Sequence, residues 1–82
     1  MELVQILGLR ITQLLEDRNM TQYGLFACSG VPCSTISVIC AYKVKDVKLS
    51  TVLNICRGLN VRLTDFFNTE MFEFENISDN AV

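Results

Sequence analysis

Apolar residues that recur every three or four positions restrict this chain to a helical fold. In the first segment they are Leu3, Leu7, Ile11, Leu14 and Leu15. Because an α-helix turns once in about 3.6 residues, this spacing places them on one face and predicts a first helix over about 3–18. Alternation of apolar and polar residues, which would indicate a half-buried strand, extends nowhere beyond a few positions. The sequence therefore predicts an all-α fold.

Turn-forming residues divide the rest of the chain into four further short helices. Thr21 suits the N-cap of a second helix over about 22–28, and Gly30 and Pro32 separate it from a third over about 33–41. We expect a fourth helix over about 49–59 and a short fifth helix capped by Thr64. The residues expected to point inward from these helices are Leu25, Phe26, Ile36, Ile39, Leu49, Val52, Leu53, Cys56, Leu59, Leu63, Phe66 and Phe67.

Charge is distributed unevenly along the 82 residues, a length that supports one hydrophobic core. Residues 1–72 carry seven Lys or Arg against six acids, a net charge of +1, whereas residues 73–82 carry three acids and no base. No charged residue occurs between Asn19 and Tyr42, and the lysines cluster just after this stretch, at positions 43, 45 and 48. We expect one domain over 1–72 and a flexible acidic tail over 73–82.

The sequence lacks the residues that several classes of function require. The four cysteines form no CxxC pair and the chain has no histidine, so we expect free thiols and no metal site. No nucleophile stands beside a candidate base and no phosphate-binding loop is present, so we predict neither an enzyme nor a cofactor. Without an apolar run of about 18 residues or a basic signal-peptide start, the sequence predicts a cytoplasmic protein with no membrane segment.

The segment "MTQYGLFACSGVPCSTISVI" resembles the helix-turn-helix core of the Xre/Cro family of phage-repressor-like bacterial regulators. In that family a Ser or Thr caps the second helix, a Gln follows it, and a Gly-Val turn leads into a Ser-Thr-Ile-Ser recognition helix. The matching residues here are Thr21, Gln22, Gly30-Val31 and Ser34-Thr35-Ile36-Ser37. The likeness continues through the lysine-bearing loop and closes on "GLNVRLTDFF", so that it covers about 6–67.

The resemblance implies a five-helix phage-repressor-like helix-turn-helix domain that binds double-stranded DNA as a sequence-specific transcriptional regulator. The helix over 33–41 would enter the major groove, and Gln22 and the loop lysines would contact phosphates. The residues implied in DNA binding are Thr21, Gln22, Cys33, Ser34, Thr35, Ser37, Val38, Lys43 and Lys45.

The chain departs from the family pattern at the positions that usually read bases. Family members commonly place Arg, Gln or Asn there, since these side chains make bidentate contacts with base edges, whereas this chain has hydroxyls, a thiol and a valine. We therefore expect modest base discrimination. Tyr42 replaces the glycine that usually closes the recognition helix, and Phe26 replaces a small inward residue of the second helix.

Two further expectations concern partners. Met71, Phe72 and Phe74 lie beyond the resemblance, and we expect them either to pair two chains in a homodimer or to fold back over the first helix. An alternative function follows from the uncharged face over 19–42: the fold would serve as a protein-interaction module, an antitoxin-like partner of another chain with weak DNA binding.

Overall fold

Five α-helices form the body of the computed structural model, which describes residues 1–79. They are α1 (Leu3–Asp17), α2 (Gln22–Ser29), α3 (Cys33–Cys40), α4 (Leu49–Leu59) and α5 (Leu63–Phe67). Two single turns of 3-10 helix follow, Glu70–Phe72 and Phe74–Asn76, and residues 1–79 contain no strand. The all-α prediction is confirmed, and the ends of the first four helices agree with it to within one residue. Residues 80–82 of the predicted tail lie outside the described residues.

The core is built from the inward faces of all five helices. Its fully buried members include Ile11, Leu25, Ile36, Ile55 and Phe66. Cys56 is buried as predicted, where the small thiol acts as an apolar side chain. Phe66 also contacts the rings of Phe67 and Phe72, with centroids 5.0 and 6.0 Å away, so the first 3-10 turn closes one end of the core.

Several residues expected to point inward do not. The exposed ones are Leu3, Phe26, Leu49 and Leu63, and the exposed fraction of Leu49 is 69%. Leu49 is the first residue of α4, whose buried residues begin one turn later at Val52. In α2 the inward position goes to Leu25, which turns Phe26 toward solvent.

The predicted cap of the fifth helix is also wrong. Arg62 is the N-cap residue of α5 and makes no side-chain capping bond, while Thr64 lies inside the helix. The Arg62 guanidinium instead binds Asp65, with Nε 3.1 Å from Oδ2, one turn along the helix.

Three helices end in the same left-handed turn. Asn19, Tyr42 and Asn60 have φ of 51°, 63° and 54°. After each helix, one N–H bonds three residues back and the next bonds five residues back, as for Tyr42 N to Ile39 O at 3.2 Å and Lys43 N to Val38 O at 2.9 Å. This pair of bonds is the Schellman motif, which satisfies carbonyls at a helix end. Tyr42 thus occupies the position where glycine is usual.

A close approach between α1 and α3 depends on Gly8. A Cβ at this position would overlap the carbonyl oxygen of Ile39 and lie 3.2 Å from the Tyr42 ring. The absence of a side chain lets the end of α3 pack directly on α1, and it makes room for the tyrosine ring.

The first three residues contact the end of the described chain. Ser78 N donates to Met1 O at 2.9 Å, Leu3 N donates to the Asp79 carboxylate at 2.6 Å, and the Met1 ammonium lies 3.3 Å from Asn76 O. The flexibility predicted for 73–82 stays a prediction; residues 76–79 make these bonds in the structure.

Candidate nucleic-acid interface

The corner between α2 and α3 is fixed by local hydrogen bonds. At its start, the hydroxyl of Thr21 accepts from Gly24 N at 3.0 Å, which confirms Thr21 as the N-cap of α2. At its end, Gly30 adopts φ of 75° and donates from N to Phe26 O at 2.8 Å. Val31 is buried in the turn, where it anchors the start of α3 against the core. The result is a helix-turn-helix with a defined angle between two short helices.

Helix α3 presents a polar, uncharged outer face. Ile36 and Ile39 are buried and Cys40 packs against the core, so the other five residues of the helix form its outer face. Ser34, Ser37 and Val38 are exposed, and Cys33 and Thr35 are half-buried. This orientation agrees with the sequence prediction. Chemically, the face offers hydroxyls, which bond with either kind of base, and methyls, which can contact a thymine methyl group.

The loop after α3 holds its lysines outward because its valines pack inward. Val44 and Val47 pack against the core, whereas Lys43, Lys45 and Lys48 are exposed. The backbone of Lys43 is tied to α3 by its bond to Val38 O. The loop therefore carries a short row of three cations, interrupted by the carboxylate of Asp46, which accepts from Val47 N at 2.8 Å.

Gln22 is the first residue of α2 and is exposed. Its side chain extends from a helix N-terminus, where backbone N–H groups and the helix dipole attract anions. The structure thus places Gln22, the outer face of α3 and the loop lysines at the solvent-exposed surface of one helix-turn-helix and the loop that follows it.

A sequence model of the Cro/C1-type HTH DNA-binding domain matches residues 10–71. This chain belongs to that family. The match spans all of α2 to α5, and it includes every residue predicted to contact DNA. No curated protein and no solved structure is significantly similar to the chain. In this Cro/C1-type domain, α2 and α3 are the helices of the helix-turn-helix, and α3 is in the position of the recognition helix.

The four cysteines of the domain are free thiols that differ in exposure. Cys28 is exposed, Cys33 and Cys40 are half-buried, and Cys56 is buried. Burial raises the pKa of the Cys40 thiol, and a hydrogen bond with Thr12 partly opposes this rise. Burial likewise raises the pKa of the Cys56 thiol against the weaker, opposite effect of Arg10.

Within residues 1–79, His, Cys, Asp and Glu do not gather in groups of three or more that could hold a metal ion. In the same part of the chain, no helix is both long enough and apolar enough to cross a membrane.

The three residues predicted to form a dimer interface differ in their surroundings. Phe72 contacts Phe67, with ring centroids 5.0 Å apart, and packs against the core. Met71 is half-buried, and Phe74 is 92% exposed. Phe72 thus folds back over the core, while the Phe74 ring is exposed. Pairing of two chains stays a prediction.

An exposed aromatic pair on α2 was not predicted. Tyr23 is 70% exposed and its ring centroid lies 5.8 Å from that of Phe26. The signal in the sequence is that α2 has no charged residue and that its apolar residues do not gather on one face. Periodicity therefore could not show which of them would point inward and which would be exposed.

Proposed function

We propose that this protein is a sequence-specific transcriptional regulator that binds its operator as a homodimer and inserts α3 into the major groove. The observation that carries the proposal is the uncharged outer face of α3 in a helix-turn-helix whose Gln22 and loop lysines are exposed. Gln22 at the N-terminus of α2 would lie on one side, and Lys43 and Lys45 would lie on the other. Membership of a DNA-binding family supports the same role.

Base reading in this proposal depends on short side chains. Ser34, Ser37 and the methyls of Val38 would contact base edges. Cys33 and Thr35 would enter the major groove with them, and Thr21 would lie near the DNA beside Gln22. Because none of these side chains makes a bidentate contact, each base pair contributes little discrimination. The dimer compensates, since two recognition helices read two half-sites about one DNA turn apart.

Binding to labelled duplexes at several salt concentrations tests the proposal. We expect preference for a duplex from the region upstream of the protein's own coding sequence over a scrambled duplex of equal length. We also expect affinity to fall as salt rises, because bound lysines release counterions from the phosphates. Equal affinity for both duplexes at every salt concentration would contradict operator reading.

Lysine variants separate phosphate contacts from base contacts. Substituting Lys43 and Lys45 with alanine should reduce the slope of log affinity against log salt by about 0.9 for each lost contact, on both duplexes alike. Substituting Ser34 and Ser37 with alanine should instead reduce the preference for the native duplex and leave the slope unchanged. If the lysine variant keeps the wild-type slope, the loop does not contact DNA.

A second candidate function is favoured by the aromatic pair on α2. Exposed Tyr23 and Phe26 within an uncharged surface are typical of a protein-binding face, and an antitoxin-like partner of another chain would use them. That function predicts a protein complex that survives alanine at both loop lysines and is lost in Tyr23→Ala. A regulator should instead lose DNA affinity when both loop lysines are alanine and keep it in Tyr23→Ala.

A further inference from the structure

The most exposed large apolar side chain of the described structure stands between two acids. Phe74 is 92% exposed in the second 3-10 turn, and Glu73 and Glu75 beside it are also exposed. An aromatic ring held outward on a short turn exposes apolar area that a complementary cleft would bury favourably. Its flanking carboxylates require that such a cleft be rich in positive charge.

A cleft with that chemistry lies where α4 turns into α5. It measures about 270 Å³ and is lined by Cys56, Arg57, Asn60, Val61 and Arg62. The left-handed backbone of Asn60 forms the turn at this cleft. Val61 supplies an apolar wall, and the two arginines supply planar cations that can cover an aromatic ring or bind carboxylates through two N–H groups.

The arginines of the cleft are accessible to a second carboxylate. Arg57 is exposed, and the ion pair of Arg62 with Asp65 is itself exposed, at 80% and 52% for the two side chains. Such exposed pairs contribute little and exchange readily, and a guanidinium has five N–H donors. A third guanidinium lies close by, because Arg18 donates from Nε to Leu59 O at 2.8 Å, next to Asn60.

A larger pocket of about 480 Å³ between α1 and the 3-10 turns is the competing receptor, and it offers less positive charge. Glu70 and Met1, which carries the ammonium group, line that pocket together with apolar residues such as Leu9. The two acids beside Phe74 would meet the Glu70 carboxylate there and one ammonium group that already donates to Asn76 O, whereas the arginine cleft would offer them two guanidinium groups. Charge complementarity therefore selects the smaller cleft.

We infer that two copies of this chain associate by reciprocal docking, with Phe74 of each copy seated in the cleft formed by Arg57, Val61 and Arg62 of the other. Reciprocal use of the same two surfaces gives a closed, two-fold pair rather than an open chain. The inference rests on the homodimer of the proposed function, and it names the two surfaces that form it.

The dimer can be measured without DNA. Sedimentation equilibrium should show a concentration-dependent change from the 9.3 kDa chain to twice that mass. Phe74→Ala should weaken this association by a factor of about ten or more, the loss typical of a buried aromatic anchor. Its folding should be unaffected because the side chain is almost fully exposed. Tyr23→Ala, which removes a comparably exposed aromatic ring from α2, is the matched control and should associate like the wild type.

A charge exchange tests the identity of the receptor. The double variants Glu73→Lys with Glu75→Lys, and Arg57→Glu with Arg62→Glu, should each fail to self-associate and should associate with each other when mixed. Glu16→Lys with Asp17→Lys makes the same change in net charge elsewhere and should keep self-association. Circular dichroism establishes that each variant is folded before its mass is interpreted.

Each result then has one meaning. A wild-type chain that stays monomeric at all concentrations, or a Phe74→Ala variant that dimerises normally, overturns the inference. Dissociation by Tyr23→Ala in place of Phe74→Ala assigns the interface to α2 and also overturns it. A dimer that depends on Phe74 but shows no preference for the native duplex would leave this inference standing and remove the proposed operator reading.

Discussion

Tyr42 occupies a backbone conformation that residues with a Cβ adopt at a cost. Its φ of 63° closes the Schellman motif after α3, in a position where glycine carries no penalty. The ring partly offsets that cost because it packs on the bare backbone of Gly8. The sequence showed that tyrosine replaces the usual glycine here, but it could not reveal the compensating contact, which joins residues far apart in the chain.

The cost of this conformation can be isolated by comparing two substitutions. Tyr42→Ala and Tyr42→Gly both remove the ring, but only alanine keeps the strained Cβ. The glycine variant should therefore be more stable than the alanine variant by about 1 kcal/mol, measured by urea unfolding. At Ser37, within α3, the order should reverse, since alanine favours a helix interior by about 1 kcal/mol over glycine. Equal stabilities of the two Tyr42 variants would mean that φ at this position relaxes.

Helix packing explains why one helical glycine is required and another is not. Gly8 in α1 faces the Ile39 carbonyl, a backbone atom that cannot move away. A Cβ added to Gly24 in α2 would lie nearest to Met20 Cγ, at 3.2 Å, and this flexible side chain can shift.

The same substitution should consequently have opposite effects in the two helices. Gly8→Ala should destabilise the fold by about 1–3 kcal/mol, because α1 and α3 must separate. Gly24→Ala should be neutral or stabilising by up to about 1 kcal/mol, because alanine favours the helical state. Thermal unfolding followed by circular dichroism distinguishes the two, and a stable Gly8→Ala variant would show that the α1–α3 contact is adjustable.

At the level of elements, the features that the sequence predicted correctly are those fixed by residues close together in the chain. The cap at Thr21, the turn at Gly30 and the inward pair Ile36 and Ile39 all follow from neighbouring residues, and the structure confirms them. The outer face of the recognition helix followed from that pair. The errors lay at helix ends and in α2, because periodicity does not show that the first residue of α4, Leu49, is exposed or that Leu25 rather than Phe26 is the buried residue of α2.

For the whole molecule, acid stability should depend on the pair that holds α5. Hydrogen bonding to Arg62 lowers the pKa of Asp65 below its ordinary value. The ionised carboxylate therefore stabilises the fold above its unfolded pKa of about 3.9, and this contribution disappears as pH falls through the lower, folded value. Asp65→Asn should lose stability near neutral pH and show a flatter decline on acidification.

Urea unfolding at a series of pH values measures this effect. Asp46→Asn is the matched control, since Asp46 lies in the loop before α4 and makes no ion pair within residues 1–79. We expect the difference between wild type and Asp65→Asn to be small, because the pair is exposed and salt screens it. A difference that persists unchanged below the folded pKa of Asp65 would assign the effect to the backbone of α5 instead.

The bonds that join residues 1–3 to residues 76–79 have a topological consequence. Because Met1 and Ser78 are hydrogen-bonded neighbours, a short peptide linker could join the two ends of the described chain without moving any helix. The gene could then be rearranged to begin in the exposed lysine loop and still encode the same packed helices in a new order. Such a permuted protein would retain the core but begin and end beside the recognition helix, so that any fused reporter would be positioned at the proposed DNA surface.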